Sequence, residues 1–594
     1  MQQLLMLVGN NSIMTKQHKY TNDRATQIVL SLLKAHGIKR VVASPGTTNI
    51  ALVGSMQIDP WFEMYSSVDE RSAAYLACGM ALESGEPVVL TCTGATASRN
   101  YFPGLTEAYY RKLPILAITG SHGDELVGHL HAQVIDRQIQ PRDTVKMSVS
   151  IDKILDEKDE WSTIVKVNAA ILELRHKGGG PVHINLRQAT DSGFDTNELP
   201  LVRKIKRISI SDNLPIITAK SIAIFIGAHK PFTDEETNAI DYFCEHYNAS
   251  VFCDHTSGFK GKYKVQYALP ACQSNVRKLL NVDLLIHLGE VSCDYYTIRK
   301  VRGNETWRVS EDGSIRDLYR NLFIVFEMRE IDFFNKYNTV ASETINLQLF
   351  KQASLQYQVV FERMPELPLG NIWCAMQMYN RLPINSSIHF SILNTIRSWN
   401  FFNLDNSIQT NCNVGGFGID GPLSTVIGAS IINPNKMHFI IVGDLAFFYD
   451  INSLGNRHIH ENVRILLINN GIGTEFKNYD HPASKWGDSA DLFMAAGGHF
   501  GRKSKDLVKC YANNLGFKYL SADSKESFLD NLSTFFSEEE DESPIIFEVF
   551  CESEDESNAI NAIRHIMPDD RSFSEKAITQ SKSIIKGVVK SIFK

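Results

Sequence analysis

Short continuous apolar runs alternate with longer stretches of helical periodicity along most of this chain, and the alternation recurs in three regions. Residues 39–44, 87–93, 114–119 and 182–186 are β-rich runs without polar alternation, the pattern of parallel strands covered on both faces. Between them, 70–84 carries small apolar residues at Ala73, Ala74, Ala77 and Ala81, with Met80 beside them, which predicts a closely packed helix. Ser44-Pro45-Gly46 reads as a turn opening the next helix, and Gly120 as the end of a strand. Region 18–195 is therefore expected to be a doubly wound α/β domain.

A more polar connector, 190–212, leads to a second α/β region, 213–360, with strands expected at 221–227, 249–253 and 282–288. It has no GxGxxG fingerprint, so nothing places a dinucleotide there. The third region, 365–552, has strongly apolar strands at 437–442 and 463–468 and a final strand at 544–550. The expected fold class is α/β, with three doubly wound parallel-sheet domains. Residues 537–542 form an acidic run that reads as a solvated loop. In the tail, 568–594, Ile584, Ile585, Val588, Val589, Ile592 and Phe593 fall at helical spacing among four lysines. Such a basic amphipathic helix fits reversible contact with an anionic membrane surface or a partner.

Composition narrows the classes. At 594 residues the chain exceeds one hydrophobic core. Its 43 % hydrophobic and 21 % charged residues describe an ordinary folded protein. A net charge of −7 without a basic block argues against nucleic-acid binding. The ten cysteines are scattered singly, which suggests reduced thiols rather than zinc ligands or disulfides. No run approaches the ~20 apolar residues that span a bilayer. A cytoplasmic protein is expected, at most peripheral to the inner face of the membrane.

The most informative chemistry lies in the third region. Val442-Gly443-Asp444-Leu445 ends one apolar run, and Ile468-Asn469-Asn470 ends the next, a helix-length gap later. A helix over about 446–456 would complete a βαβ unit whose right-handed crossover brings Asp444 and Asn470 to one carboxyl edge. One charged and one neutral oxygen donor suit Mg²⁺, and the backbone carbonyl of Ile472 would complete the set. Glycines at 443, 471 and 473 let backbone approach a phosphate. A second cluster, Gly415-Gly416-Phe417-Gly418-Ile419-Asp420-Gly421, precedes a helix expected to begin near Pro422, whose free N–H groups suit an anion.

These segments resemble the thiamine-diphosphate (ThDP) enzyme superfamily, whose signature is Gly-Asp-Gly, a gap, then Asn-Asn. Leu445 stands at the third position, a variant shared with the SEPHCHC-synthase branch of the menaquinone pathway. Val68-Asp69-Glu70-Arg71, Thr93-Gly94-Ala95-Thr96-Ala97 with Asn100, and Gly418-Ile419-Asp420-Gly421-Pro422-Leu423-Ser424-Thr425 are similar to segments of that branch. The resemblance covers about 20–190 and 370–550. It implies ThDP and Mg²⁺ as cofactors and Glu70 as the catalytic carboxyl. Thr93, Gly94, Gly418, Ile419, Gly443, Asp444, Leu445, Asn470, Ile472 and Gly473 would contact the cofactor, with Asp444, Asn470 and Ile472 holding the metal. Ile419 would support the bent cofactor shape. A carboxyl on the aminopyrimidine ring would assist proton removal from C2. The resemblance also implies a homodimer or homotetramer with active sites between subunits.

The branch's carboxylate-binding arginines are not retained. Thr48 and Val414 stand at two of those positions, and the third corresponds to Trp399 at strict spacing or to Arg397 if the spacing shifts. Each charged hydrogen bond is worth ~1.5–3 kcal/mol, so a different acceptor is expected. Thr48, Gln133, His122, His131, Glu475 and Lys477 are candidate substrate contacts, and the polar run from Glu475 suits a hydroxylated molecule. The activity expected is decarboxylation of a 2-oxo acid followed by carboligation to an acceptor. The alternatives are a simple 2-oxo acid decarboxylase and a catalytically idle ThDP-fold binding module.

Overall fold

The structure is a computed structural model and describes residues 19–137, 139–187, 193–341, 345–479, 481–500, 503–537 and 543–568. The amphipathic tail, apart from Pro568, lies outside them, as does the acidic run beyond Ser537.

The chain divides into two compact units, one formed by 1–208 with 314–325 and the other by 209–313 with 326–594. In the first unit, β1 (Arg40–Ala43), β2 (Glu63–Ser66), β3 (Val88–Cys92), β4 (Ile115–Ser121), β5 (Ser148–Ile151) and β6 (Val182–Arg187) form a parallel sheet in the order β2-β1-β3-β4-β6-β5. Every residue of β3 and β4 is buried, and each such aliphatic side chain contributes about 1.5–3 kcal/mol. The strand expected to stop at Gly120 runs through it to Ser121. A Cβ at 120 would collide with the backbone of Thr48, so the glycine permits close packing instead of ending the strand.

The polar connector also departs from expectation, because it contains β7 (Lys206–Ser209). In the second unit, β8 (Ile222–Ile226), β9 (Ala249–Cys253), β10 (Lys264–Val265), β11 (Leu280–Leu288) and β12 (Val301–Val309) run β10-β9-β8-β11-β12, all parallel. β7 and β13 (Leu322–Glu327) lie where the chain passes from one unit to the other.

The same unit holds β14 (Ser387–Phe390), β15 (Gln409–Cys412), β16 (His438–Gly443), β17 (Val463–Asn469), β18 (Lys518–Ala522) and β19 (Ile545–Phe550), in the order β15-β14-β16-β17-β19-β18. This permutation repeats that of the first sheet, so the two sheets share one topology. The segment after β16 is shorter than expected. A helix at Asp444–Tyr449 gives way to a 3-10 turn at Ile451–Gly455. Phe447, Phe448 and Leu454 bury into one core cluster and fold the chain back before a longer helix can form.

Among the described residues no helix is long and apolar enough to cross a membrane. All ten cysteines are free.

Candidate active site

In the first unit the site builds up from the carboxyl ends of β1 and β3. The strand order reverses between these two, and ligands bind at such a crevice in open α/β sheets. Gly94 N–H donates to Thr48 Oγ1 at 3.3 Å, and the Thr48 and Thr93 hydroxyls hydrogen-bond each other. Thr48 is 2 % exposed; its side chain braces the turn behind Gly94.

Glu70 is the first residue of the helix Glu70–Ser84. Asp69 caps that helix by accepting Ser72 N–H at 3.0 Å, and Gly85 closes it in the left-handed region. A carboxylate here gains from the helix dipole. Glu70 is half-buried, and Asn100 Nδ2 donates to its Oε2 at 3.3 Å.

Arg137 was not anticipated. Its guanidinium is buried, donating to Thr119 Oγ1 at 3.0 Å and to the Gly120 carbonyl at 2.9 Å. Thr119 in turn bonds His183, whose other nitrogen meets Ser148 Oγ. Burial pushes the His183 imidazole down to about 3, with Arg137 adding to the effect, so it stays neutral. No local motif announces this row of side chains, because strand pairing alone brings its members together. His122 is half-buried, whereas His131 and Gln133 are exposed, Gln133 at a φ of 63°.

The second unit holds the oxygen donors. β16 and β17 are neighbours whose register pairs Gly443 with Ile468. Asp444 follows the last residue of β16 and Asn470 the last of β17, so both stand at one sheet rim. They are 5 % and 7 % exposed, and Ile472 is 8 %. Asn470 Oδ1 accepts Ile472 N–H at 3.3 Å, and the Ile472 carbonyl accepts Thr474 N–H at 2.9 Å. A carbonyl oxygen has a second lone pair for a metal. A carboxylate, an amide oxygen and a backbone carbonyl make a hard, all-oxygen set that fits Mg²⁺ with a diphosphate. Asn469, the first of the Asn-Asn pair, faces the core, where Nδ2 donates to Glu548 Oε1 at 2.6 Å.

Ile419 is half-buried against the cluster containing Val442, Ala446 and Phe447. The helix Pro422–Ile432 begins where expected, after Gly418-Ile419-Asp420-Gly421, but its N-terminus already has an anion. Asp450 accepts Ser424 N–H and Ser424 Oγ, both at 2.6 Å. The short helix after Asp444 ends at Tyr449 and so delivers Asp450 there.

Two candidate contacts are engaged within the protein. Lys477 Nζ bonds Asp491 at 2.7 Å, and Glu475 holds Arg397 Nη1 between its two oxygens at 2.7 and 2.6 Å. Of the positions corresponding to the arginines, Val414 is 4 % and Trp399 0 % exposed. Both belong to one apolar cluster.

Residues 23–140 match the family model described as thiamine pyrophosphate enzyme, N-terminal TPP binding domain. The chain is a thiamine-diphosphate-dependent enzyme. Along most of its length it is similar to proteins named 2-succinyl-5-enolpyruvyl-6-hydroxy-3-cyclohexene-1-carboxylate synthase (SEPHCHC synthase). The one from Bacteroides thetaiotaomicron is 29 % identical over 575 residues, covering 92 % of this chain and 99 % of the relative. That from Flavobacterium johnsoniae is 26 % identical over 553 residues, covering 89 % and 96 %. That from Cytophaga hutchinsonii is 27 % identical over 481 residues, covering 76 % and 84 %.

Proposed function

We propose that the protein decarboxylates a 2-oxo acid and joins the remaining carbon fragment to an acceptor, in the manner of the SEPHCHC synthases but with a different acceptor. The reading is carried by the oxygen donors Asp444, Asn470 and Ile472 at the rim shared by β16 and β17, where a magnesium ion would tether a diphosphate. ThDP supplies the carbanion chemistry when bound. Asp444 and Asn470 would hold its metal, Ile419 would support it from the core side, and Glu70 would hold a proton at its carboxyl for the aminopyrimidine ring. Burial of Val414 and Trp399, and engagement of the Thr48 hydroxyl within the turn, support the change of acceptor.

Active sites form between subunits in this reading. The helix that opens with Glu70 exposes Tyr75, Leu76 and Leu82 by 48 %, 44 % and 52 %, an apolar face suited to a second copy of the chain. The test is CO₂ release from a panel of 2-oxo acids, with and without aldehyde or sugar acceptors. CO₂ release and a new carbon–carbon bond are expected, each requiring both ThDP and Mg²⁺. Release of CO₂ with only the free aldehyde as product would indicate a simple decarboxylase.

A further inference from the structure

A groove of about 260 Å³ opens beside the helix Gln348–Phe361, between its Leu355 and Val359 and the segment leading into β11, which contributes Pro270, Val276 and Leu279. Leu355 and Leu279 are 59 % and 42 % exposed. Several polar groups in the wall are engaged with one another. The Tyr267 hydroxyl donates to Gln356 Oε1, and the Lys300 amine donates to the Val276 carbonyl. The leucines thus offer apolar surface that no described residue covers, a feature that calls for an occupant.

The last described residues lie on this groove. Met567 is part of its wall; its N–H donates to Gln273 Oε1 at 3.0 Å, and its carbonyl accepts Asn275 Nδ2 at 3.2 Å. Ser274 N–H donates to the Arg564 carbonyl at 2.8 Å, so the point from which the tail departs is fixed there. The residues that follow suit the groove in charge and reach. Asp569 and Asp570 come directly after Pro568, and exposed Lys278 stands in the wall with Lys300. Phe573, Ala577 and Ile578 fall at the spacing of one helix face. The five residues from Pro568 to Phe573 span at most about 17 Å, and a segment tethered so closely has an effective concentration on the order of 1 mM. An affinity on the order of 0.1 mM then gives about tenfold protection of the groove.

We propose that this groove is the docking site of the chain's own tail: residues 569–578 fold back over it, with Phe573 and Ile578 against Leu355 and Leu279, and Asp569 and Asp570 beside Lys278. The distal apolar set from Ile584 to Phe593 stays outside the groove.

The test reads access to the groove in the full chain carrying Leu355→Cys, labelled with a maleimide and followed by peptide mass spectrometry, with exposed Cys510 as the internal reference. Truncation after Pro568 is expected to speed labelling at position 355 about tenfold. Phe573→Ser combined with Ile578→Ser should speed it in the same direction, and truncation after Gln580 should leave it unchanged. Equal labelling in the full chain and in the chain cut after Pro568 overturns the proposal. Fast labelling in both would leave the groove open, and slow labelling in both would give it to a second copy of the chain. Faster labelling after truncation at Gln580 assigns the groove to the distal apolar set and overturns the proposal as well. If the chain cut after Pro568 does not fold, the Phe573→Ser and Ile578→Ser double variant decides by the same comparison.

Discussion

Leu445 Cδ1 lies 3.3 Å from the place a Cβ on Gly473 would occupy, so the leucine after Asp444 fills the space that a side chain at 473 would need. The same Cβ would meet the Ala495 carbonyl oxygen and Phe476 Cδ2, each at 3.1 Å. Gly473 N–H donates to that Ala495 oxygen at 2.6 Å, which pins the loop in place. Gly473→Ala is therefore expected to shift the loop carrying the Ile472 carbonyl and to weaken ThDP uptake about tenfold, roughly 1.4 kcal/mol. Titration of ThDP at saturating Mg²⁺, followed by tryptophan fluorescence, measures it. Unchanged affinity would mean that the loop absorbs a methyl group without moving its carbonyl.

Asp444 is the charged member of the oxygen set. Its replacement by Ala should abolish Mg²⁺-dependent uptake of ThDP while leaving the thermal midpoint of the cofactor-free protein within a few degrees. Calorimetric titration with and without Mg²⁺ separates the two effects. Equal uptake under both conditions would remove Asp444 from the metal site.

Glu70→Gln keeps the size of the side chain and can still meet Asn100, but it cannot take or return a proton. Turnover should fall at least about 100-fold, the scale of a lost acid–base group, with ThDP affinity nearly unchanged. Exchange of the ThDP C2 proton for deuterium, followed by NMR, should slow in parallel. Exchange at the wild-type rate would assign Glu70 a structural role as a helix-opening carboxylate.

Asp294 caps the helix Tyr295–Lys300, accepting Thr297 N–H at 3.0 Å. Burial pushes its carboxyl up to about 7, with neighbouring Asp254 adding to the rise. The folded protein therefore holds this proton more tightly than the unfolded chain does. The contribution is fully present below the unfolded carboxyl range near pH 4 and is lost as pH rises through about 7. Asn caps helices as well as Asp, so Asp294→Asn should stabilise the protein relative to wild type at pH 8, on the order of 1–3 kcal/mol, and much less at pH 4–5. Urea unfolding of both proteins across that window is the measurement; a difference that does not grow with pH would place the proton elsewhere.

Most central parallel strands were legible because burial on both faces demands unbroken apolar runs, as in 88–92, 249–253 and 463–468, although β12, β13 and β14, which also have neighbours on both sides, were not anticipated. The strands that escaped notice include β2, β5, β10, β15 and β18, each at the edge of its sheet. An edge strand has a neighbour on one side only and can carry polar residues, as Glu63–Ser66 and Gln409–Cys412 do. Within the candidate site, Asp444, Asn470 and the glycines at 443, 471 and 473 stood out because oxygen donors and small residues follow directly on two apolar runs. Arg137 and Asp450 did not, since their partners lie far away along the chain.

Hydrophobic period and local motif, both written into consecutive residues, thus determined the α/β class, the strand–helix order of the core and the cofactor chemistry. Tertiary structure decided which polar side chains answer to each other: Asp450 at a helix start, Glu475 on Arg397, and Val414 and Trp399 in the core. Such pairings depend on distances across strands and between loops, and the strength of a charge contact is set by burial that no short stretch of sequence encodes.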